Sequence, residues 1–366
     1  MPSLFDPFHL NGLRLRNRVV MAPMVSDYAT EDGEVTLRLI SYYGERADGG
    51  VGLITVEATA VSPNGRLGQN QLGIWADDQL QGLRYLVERI HATGAMVAVQ
   101  LHHAGRQSSF GARTHADLVA PSPIPSPTLP LSKPRELAPA EVRAIVPDFA
   151  RAARRAVTAG FDAIEVHAAH GYLLNQFLSP FSNYRTDEYG GDLEGRLRFP
   201  LEVLSAVRAA AGPDFPVGVR ISADEYVPGG HTLAESAVVA RRLVESGAHY
   251  IHVSSGVPGG HAPPDASGSD FSATVLLARG VKQVLTVNGL AAPVIAVGRV
   301  IRPSTARRIV EEGLADLVAV GRAVLADPLW VRKAAAGLDD EIRVCSGCRD
   351  CIHHERGCPP LAKRAG

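Results

Sequence analysis

Eight strand-length apolar runs alternate with longer amphipathic stretches, and no other feature restricts the fold of this chain so strongly. The runs are RVVMAPM (18–24), GLITVEA (52–58), MVAVQL (96–101), AIEVHAA (163–169), FPVGVRIS (215–222), YIHVSS (250–255), PVIAVGRV (293–300) and LVAVGRA (317–323). Each is rich in β-branched residues and continuously apolar, the pattern of parallel strands covered on both faces. Between them, Asp78–Gly94 sets Leu80, Leu83, Leu86, Val87 and Ile90 at helical spacing, and Pro139–Gly160 does the same with Val142, Ile145, Phe149, Ala152 and Val157. Leu233–Gly247 and Pro303–Gly313 are similar. Eight βα units without a break predict an α/β fold, a closed (β/α)8 TIM barrel rather than an open doubly wound sheet. Phe5–Arg16 reads as a hairpin turning at Asn11-Gly12 and capping the bottom of the barrel. Residues 1–337 are expected to form the barrel and 338–366 a small C-terminal metal-binding appendage.

Charge excludes some partners. The 37 basic and 38 acidic residues leave a formal charge of −1, so no basic field attracts nucleic acid or an anionic membrane. No apolar run approaches the ~20 residues of a membrane-spanning helix. The opening MPSLFDPFHLNG lacks the basic start and apolar core of a secretory signal. A cytoplasmic protein is expected.

In a barrel of this type chemistry sits at the C-terminal ends of the strands. Strand one ends in Ala22-Pro23-Met24. Strand three ends in Gln100, followed by His102, His103 and Arg106. His167, His170 and Tyr172 follow strand four, and Arg220 lies in strand five. Gly298-Arg299 and Gly321-Arg322 close the last two strands, where barrels often hold a phosphate; the plain alternative is two tight turns with exposed arginines. In HAAHGY, two neutral imidazoles at i,i+3 can donate to one ligand oxygen and favour negative charge growing on it, and the phenol of Tyr172 can supply a proton. A structural pair and a zinc pair are the alternatives. A buried guanidinium at Arg220 needs an acceptor, either Glu165 or Glu57 or an anionic cofactor ring. The Pro- and Ser-rich stretch Ala120–Pro134 and the Gly-rich stretch Ser254–Ser272 read as loops on the active face.

All four cysteines lie in CSGCRDCIHHERGC. Cys345, Cys348, Cys351 and Cys358 are spaced C-x2-C-x2-C-x6-C, far too local for a disulfide framework. Three thiolates in consecutive short steps suit a 4Fe–4S cluster, whereas structural zinc prefers two separated C-x-x-C pairs. His353 and His354 keep zinc open as the alternative.

These features together resemble the old yellow enzyme family of flavin-dependent NAD(P)H oxidoreductases. The stretches LRNRVVMAPM, GLITVEATAV, LGIWADDQ, VQLHHAGR, EVHAAHGYLLNQFLSPFSNYRTDEYGG and the paired Gly-Arg turns carry the resemblance over nearly all of residues 5–330. It implies that Pro23, Met24 and Ala58 contact FMN, that Gln100 bonds the pyrimidine edge of the flavin, and that Arg220 stabilises the reduced flavin anion. It implies that Gly298, Arg299, Gly321 and Arg322 hold the FMN phosphate, that His167 and His170 bind the substrate oxygen, and that Tyr172 is the proton donor. The implied reaction takes hydride from NADH or NADPH and reduces the activated C=C bond of an enone-type small molecule. A homo-oligomer is expected.

Two departures matter. Val25, beside the flavin, stands where one branch of the family has a cysteine, and it cannot hydrogen-bond the flavin, so a different flavin potential is expected. The cysteine tail is similar to the iron–sulfur segment of trimethylamine dehydrogenase and 2,4-dienoyl-CoA reductase, with a shorter last gap. Those relatives carry nucleotide-binding domains after the cluster. The chain ends at Gly366, so the expectation is exchange of electrons with a separate carrier such as ferredoxin. The alternative activity is an amine dehydrogenase or demethylase that passes electrons from FMN through the cluster.

Overall fold

The computed structural model describes residues 1–114, 117–260, 271–348, 351 and 358. A hairpin of β1 (Phe8–Leu10) and β2 (Leu13–Leu15) opens the chain, followed by β3 (Val19–Met21), α1 (Leu37–Asp48), β4 (Leu53–Ala60), α2 (Leu80–His91) and β5 (Met96–His102). The third connection carries α3 (Ser109–Thr114), the short strands β6 (Val119–Ala120) and β7 (Arg135–Glu136), and α4 (Pro139–Ala159). Then come β8 (Ala163–Ala168), α5 (Leu173–Leu178), α6 (Leu193–Ala211), β9 (Val217–Ser222), α7 (Leu233–Glu245) and β10 (Tyr250–Ser254). The chain continues through α8 (Ala273–Val287), β11 (Val294–Val297), α9 (Pro303–Glu311), β12 (Leu317–Val320), α10 (Arg322–Ala326) and α11 (Trp330–Ala335).

Eight parallel strands close in the order β10-β11-β12-β3-β4-β5-β8-β9, so the predicted TIM barrel is the observed fold. One face of every strand meets the helices and the other meets the barrel interior, which is why the strands read as unbroken apolar runs. Helix α2 shows how the outer layer forms. It buries Leu83, Leu86, Val87 and Ile90, an i, i+3, i+4, i+7 stripe, and each such side chain removed from water contributes roughly 1.5–3 kcal/mol. Helix α4 starts with Pro139 at its first turn and stops at Gly160, whose φ of +93° closes the helix in the left-handed region.

The hairpin turns at Asn11 and Gly12, with φ of +46° and +84°, as a two-residue turn with both central residues left-handed requires. Its Leu10 and Leu15 pack with Val20, Leu53, Ala98, Ala163, Tyr250 and Leu317, so it seals the bottom of the barrel as expected. The function is therefore displaced to the opposite end.

Helices α1, α6 and α8, and the short helices α3, α5, α10 and α11, are additional to the four read from periodicity. The Ala120–Pro134 loop is held in place: Arg106 Nη1 donates to Ile124 O at 3.2 Å, and Tyr184 N–H donates to Ser122 Oγ at 2.9 Å. Residues 261–270 of the second loop lie outside the described residues. No helix among the described residues is long and apolar enough to cross a membrane.

Candidate active site

Strand register brings the candidate residues to one end. Ala58 pairs with Gln100, Gln100 with Glu165, and His167 with Arg220. Arg220 pairs in turn with His252, and Ser222 with Ser254. Because strand side chains alternate, these positions point inward together in successive rows. The lower tier holds Gln100 and Glu165. The upper tier begins with His167, level in register with Arg220 and His252, and continues to Ser222 and Ser254.

In the lower tier Glu165 is fully buried, accepting from Gln100 Nε2 at 2.6 Å and bonded to His252 Nδ1 at 2.8 Å. Burial alone would raise its carboxyl, but His252, Arg220 and Gln100 together hold it below the usual carboxylate range. Its charge offsets that of Arg220 without a direct ion pair. Arg220 is 7% exposed, and its Nε is buried without a hydrogen-bond partner. A charged group this deep needs an acceptor. Of the two carboxylates considered for it, Glu57 faces outward instead. Glu57 Oε2 accepts from Tyr43 Oη at 3.1 Å and from Ser26 N–H at 3.2 Å.

The upper tier carries the histidine pair. Ala169 N–H donates to His167 Nδ1 at 3.2 Å, so the ring proton of His167 sits on Nε2. That Nε2 lies 3.4 Å from His170 Nδ1. His170 is a non-glycine residue at φ +61°, a conformation that costs energy and must be held by its surroundings. Three bonds hold it: its N–H donates to Ser222 Oγ at 2.9 Å, its carbonyl accepts from Gln107 Nε2 at 2.8 Å, and Gly171 N–H donates to Asn175 Oδ1 at 2.5 Å. Burial first, then the charges around them, keeps both imidazoles well below their ordinary range and so neutral. Tyr172 stacks edge-on against His167 at 4.9 Å and His102 at 4.4 Å between ring centroids. Burial pushes its phenol up to about 12, with Arg220 pulling the other way.

The remaining candidates stand round the same mouth. Pro23 and Met24 follow β3, and a Cβ added to Gly321 would lie 3.2 Å from Met24 Sδ, so the tips of β3 and β12 are in contact. Val25 is half-buried beside them. Gly298 has φ +135°, and a Cβ there would meet Ser272 Oγ at 2.7 Å, so only glycine fits. Arg299 is exposed and Arg322 half-buried. His103 belongs to the turn instead, its Nδ1 accepting from Gly105 N–H at 3.1 Å.

The four cysteines are free thiols. Cys351 packs against the main core, with Arg322 and Tyr42 within electrostatic reach of its thiol. Burial, then Cys345, Cys351 and Cys348, pushes Cys358 up to about 11, so the four sulfurs lie near one another. Among the described residues no group of three or more His, Cys, Asp or Glu is spaced to hold a metal ion. His353 and His354 lie outside the described residues.

Sequence reasoning missed Ser222, Ser254, His252, Gln107 and Asn175. The polar residues at i and i+2 in GVRIS and YIHVS were the available signal for the first three.

A profile described as the NADH:flavin oxidoreductase / NADH oxidase family matches residues 3–341. The chain is 45% identical over 355 residues to the NADH oxidase of Thermoanaerobacter brockii, an alignment covering 96% of this chain and 54% of that protein. It is 40% identical to the NADPH dehydrogenase of Geobacillus thermodenitrificans, over 97% of this chain and 98% of the relative. Among solved structures, morphinone reductase superposes with a TM-score of 0.79 at 35% identity, covering 92% of this chain and 90% of its own. The chain thus spans about half the length of the NADH oxidase and nearly all of the NADPH dehydrogenase. On this match, from Ser3 to Glu341, the chain belongs to the NADH:flavin oxidoreductase / NADH oxidase family, the old yellow enzymes.

Proposed function

We propose that the chain is an FMN-dependent NAD(P)H oxidoreductase that reduces the activated C=C bond of an α,β-unsaturated carbonyl compound. The observation that carries the reading is the pair of ring nitrogens, His167 Nε2 and His170 Nδ1, 3.4 Å apart beside Tyr172, with Arg220 the register partner of His167. The family and the named relatives support the flavin and the nicotinamide donor, and favour this reading over amine oxidation.

The residues present fit FMN. Arg220 offers a buried cation whose Nε has no hydrogen-bond partner among the described residues, as the pyrimidine side of a reduced flavin would require. Gln100 would bond that edge, Pro23, Met24, Val25 and Ala58 would line the ring, and Gly298, Arg299, Gly321 and Arg322 would hold the phosphate. When bound, FMN supplies hydride transfer, accepting hydride from NADH or NADPH and passing it to the β-carbon of the substrate. His167 and His170, both neutral, donate to the carbonyl oxygen and stabilise the charge that grows there. Tyr172 is protonated at neutral pH and gives its proton to the α-carbon.

Residues 338–366 are proposed as a separate appendage whose thiols hold a 4Fe–4S cluster. What supports the reading is the spacing of four soft thiols, C-x2-C-x2-C-x6-C; among the described residues they are not gathered into a metal-holding group. Such a cluster would open a one-electron route to a carrier protein. Anaerobic turnover of 2-cyclohexenone with NADPH or NADH, combined with iron and sulfide analysis, tests both proposals. Saturated ketone formed by a yellow-brown protein with four irons supports them. A protein that holds no flavin overturns the first, and stoichiometric zinc in place of iron overturns the second.

A further inference from the structure

We propose that Ser254 is a positioning residue that lets His170 exchange tautomers when an oxygen ligand arrives. The inference rests on the histidine pair being an oxygen-binding site. It begins from a short contact that the reading above does not use: Ser254 Oγ lies 2.7 Å from His170 Nε2. The opposite nitrogen of the same ring, Nδ1, faces His167 Nε2.

Ala169 N–H fixes the tautomer of His167, so its Nε2–H always points at His170. With no ligand between the rings, His170 Nδ1 must accept that proton's hydrogen bond. The proton of His170 then sits on Nε2 and is donated to Ser254 Oγ. A carbonyl oxygen seated between the rings asks for two donors. His170 must then carry its proton on Nδ1, and Nε2 becomes an acceptor. One proton leaves Nε2 to water, one arrives at Nδ1 from water, and the ring stays neutral. The hydroxyl of Ser254 turns from acceptor to donor, so His170 Nε2 is paired in both states.

The rest of the site is built so that only the proton moves. Ser222 Oγ holds the backbone N–H of His170 and itself donates to Gly256 O at 3.0 Å. Ser222 and Ser254 are register partners on β9 and β10, so the two hydroxyls sit side by side. Backbone bonds pin His170 in its left-handed turn, and the 2.7 Å contact with Ser254 Oγ places its ring.

The test uses the flavin-loaded protein with 15N-labelled histidine, titrated with 4-chlorophenol. The His170 signals should report Nε2–H in the free protein and Nδ1–H at saturation. Ser254→Thr should keep both the switch and the affinity. Ser254→Ala should weaken phenol binding by about threefold to tenfold, and Ser254→Asp, an acceptor only, should hold Nε2–H and weaken it by more than tenfold. Bound FMN, read by its absorbance, should be unchanged in all three. An unchanged His170 tautomer on saturation, or wild-type affinity in Ser254→Asp, overturns the proposal. If phenol binding also survives His167→Ala with His170→Ala, the oxygen-site reading fails as well; if that double variant abolishes binding, only the role of Ser254 fails.

Discussion

Glu165 and His252 form a fully enclosed pair at the centre of the barrel, Oε2 to Nδ1 at 2.8 Å, with Gln100 on the other oxygen of the carboxylate. Glu165 lies two residues before His167 on β8 and supplies negative charge that favours the charged form of Arg220. Removing one partner strands the others. Glu165→Ala is expected to destabilise the protein by about 3–5 kcal/mol, the usual cost of leaving buried charge unpaired. Chemical denaturation of the flavin-loaded protein measures it. A loss below about 1 kcal/mol contradicts the charge-balance role.

Tyr172 meets the site through its phenol alone. Tyr172→Phe should keep the ring packing against His102 and His167 and lose the proton. Alkene turnover is expected to fall by about 10²-fold or more, with flavin reduction by the nicotinamide unaffected. Stopped-flow measurement of the two half-reactions separates the effects, and an equal loss in both refutes the donor role.

Glu57 predicts a pH dependence of stability. Burial raises its carboxyl to about 7, against the hydrogen bonds of Ser26 and Tyr43. A folded value above the unfolded one means that its contribution is full below pH ~4.5 and is lost as pH rises through about 7. Glu57→Gln should therefore raise the melting temperature at pH 8.5 by a few degrees relative to wild type, and by less at pH 5. A gain at pH 5 equal to that at pH 8.5 contradicts the assignment.

The histidine pair carries the opposite sign. His167 and His170 are held below the ordinary imidazole range, so the folded state keeps them neutral while the unfolded chain takes up protons near pH 6.5. Their contribution to stability is present above that pH and is lost as pH falls below it. Phenol affinity should show no histidine inflection between pH 6 and 8. A step centred near 6.5 would mean that one imidazole is charged in the free protein.

How much of this was legible depends on range. The barrel was, because eight continuous apolar runs leave few alternatives, and the hairpin was, because Asn11-Gly12 names its turn. Helix α6 was hidden by Pro200 in its interior, which reads as a breaker. Helix α1 was hidden because its buried face mixes Leu39, Tyr43 and Ala47 with Gly44. In the site, His167, His170, Tyr172 and Arg220 stood out as polar groups in or after apolar strands. Ser222, Ser254 and His252 did not, because a strand buried on both faces conceals which residues point inward, and only the register settles it. The spacing of the four cysteines suggested a donor set, whereas among the described residues no group of three or more His, Cys, Asp or Glu is placed to hold a metal ion. The electrostatic nearness of Cys351 to Arg322 and Tyr42 was not legible in the sequence, since it depends on where that residue lies against the finished barrel.

The most direct measurement is an anaerobic titration of the purified protein with 4-chlorophenol, followed by absorbance beyond 500 nm, beside the His167→Ala, His170→Ala double variant. The account predicts a saturable long-wavelength band in the wild type and none in the variant, with flavin content equal in both. The same band in both proteins, or no flavin in either, would contradict it.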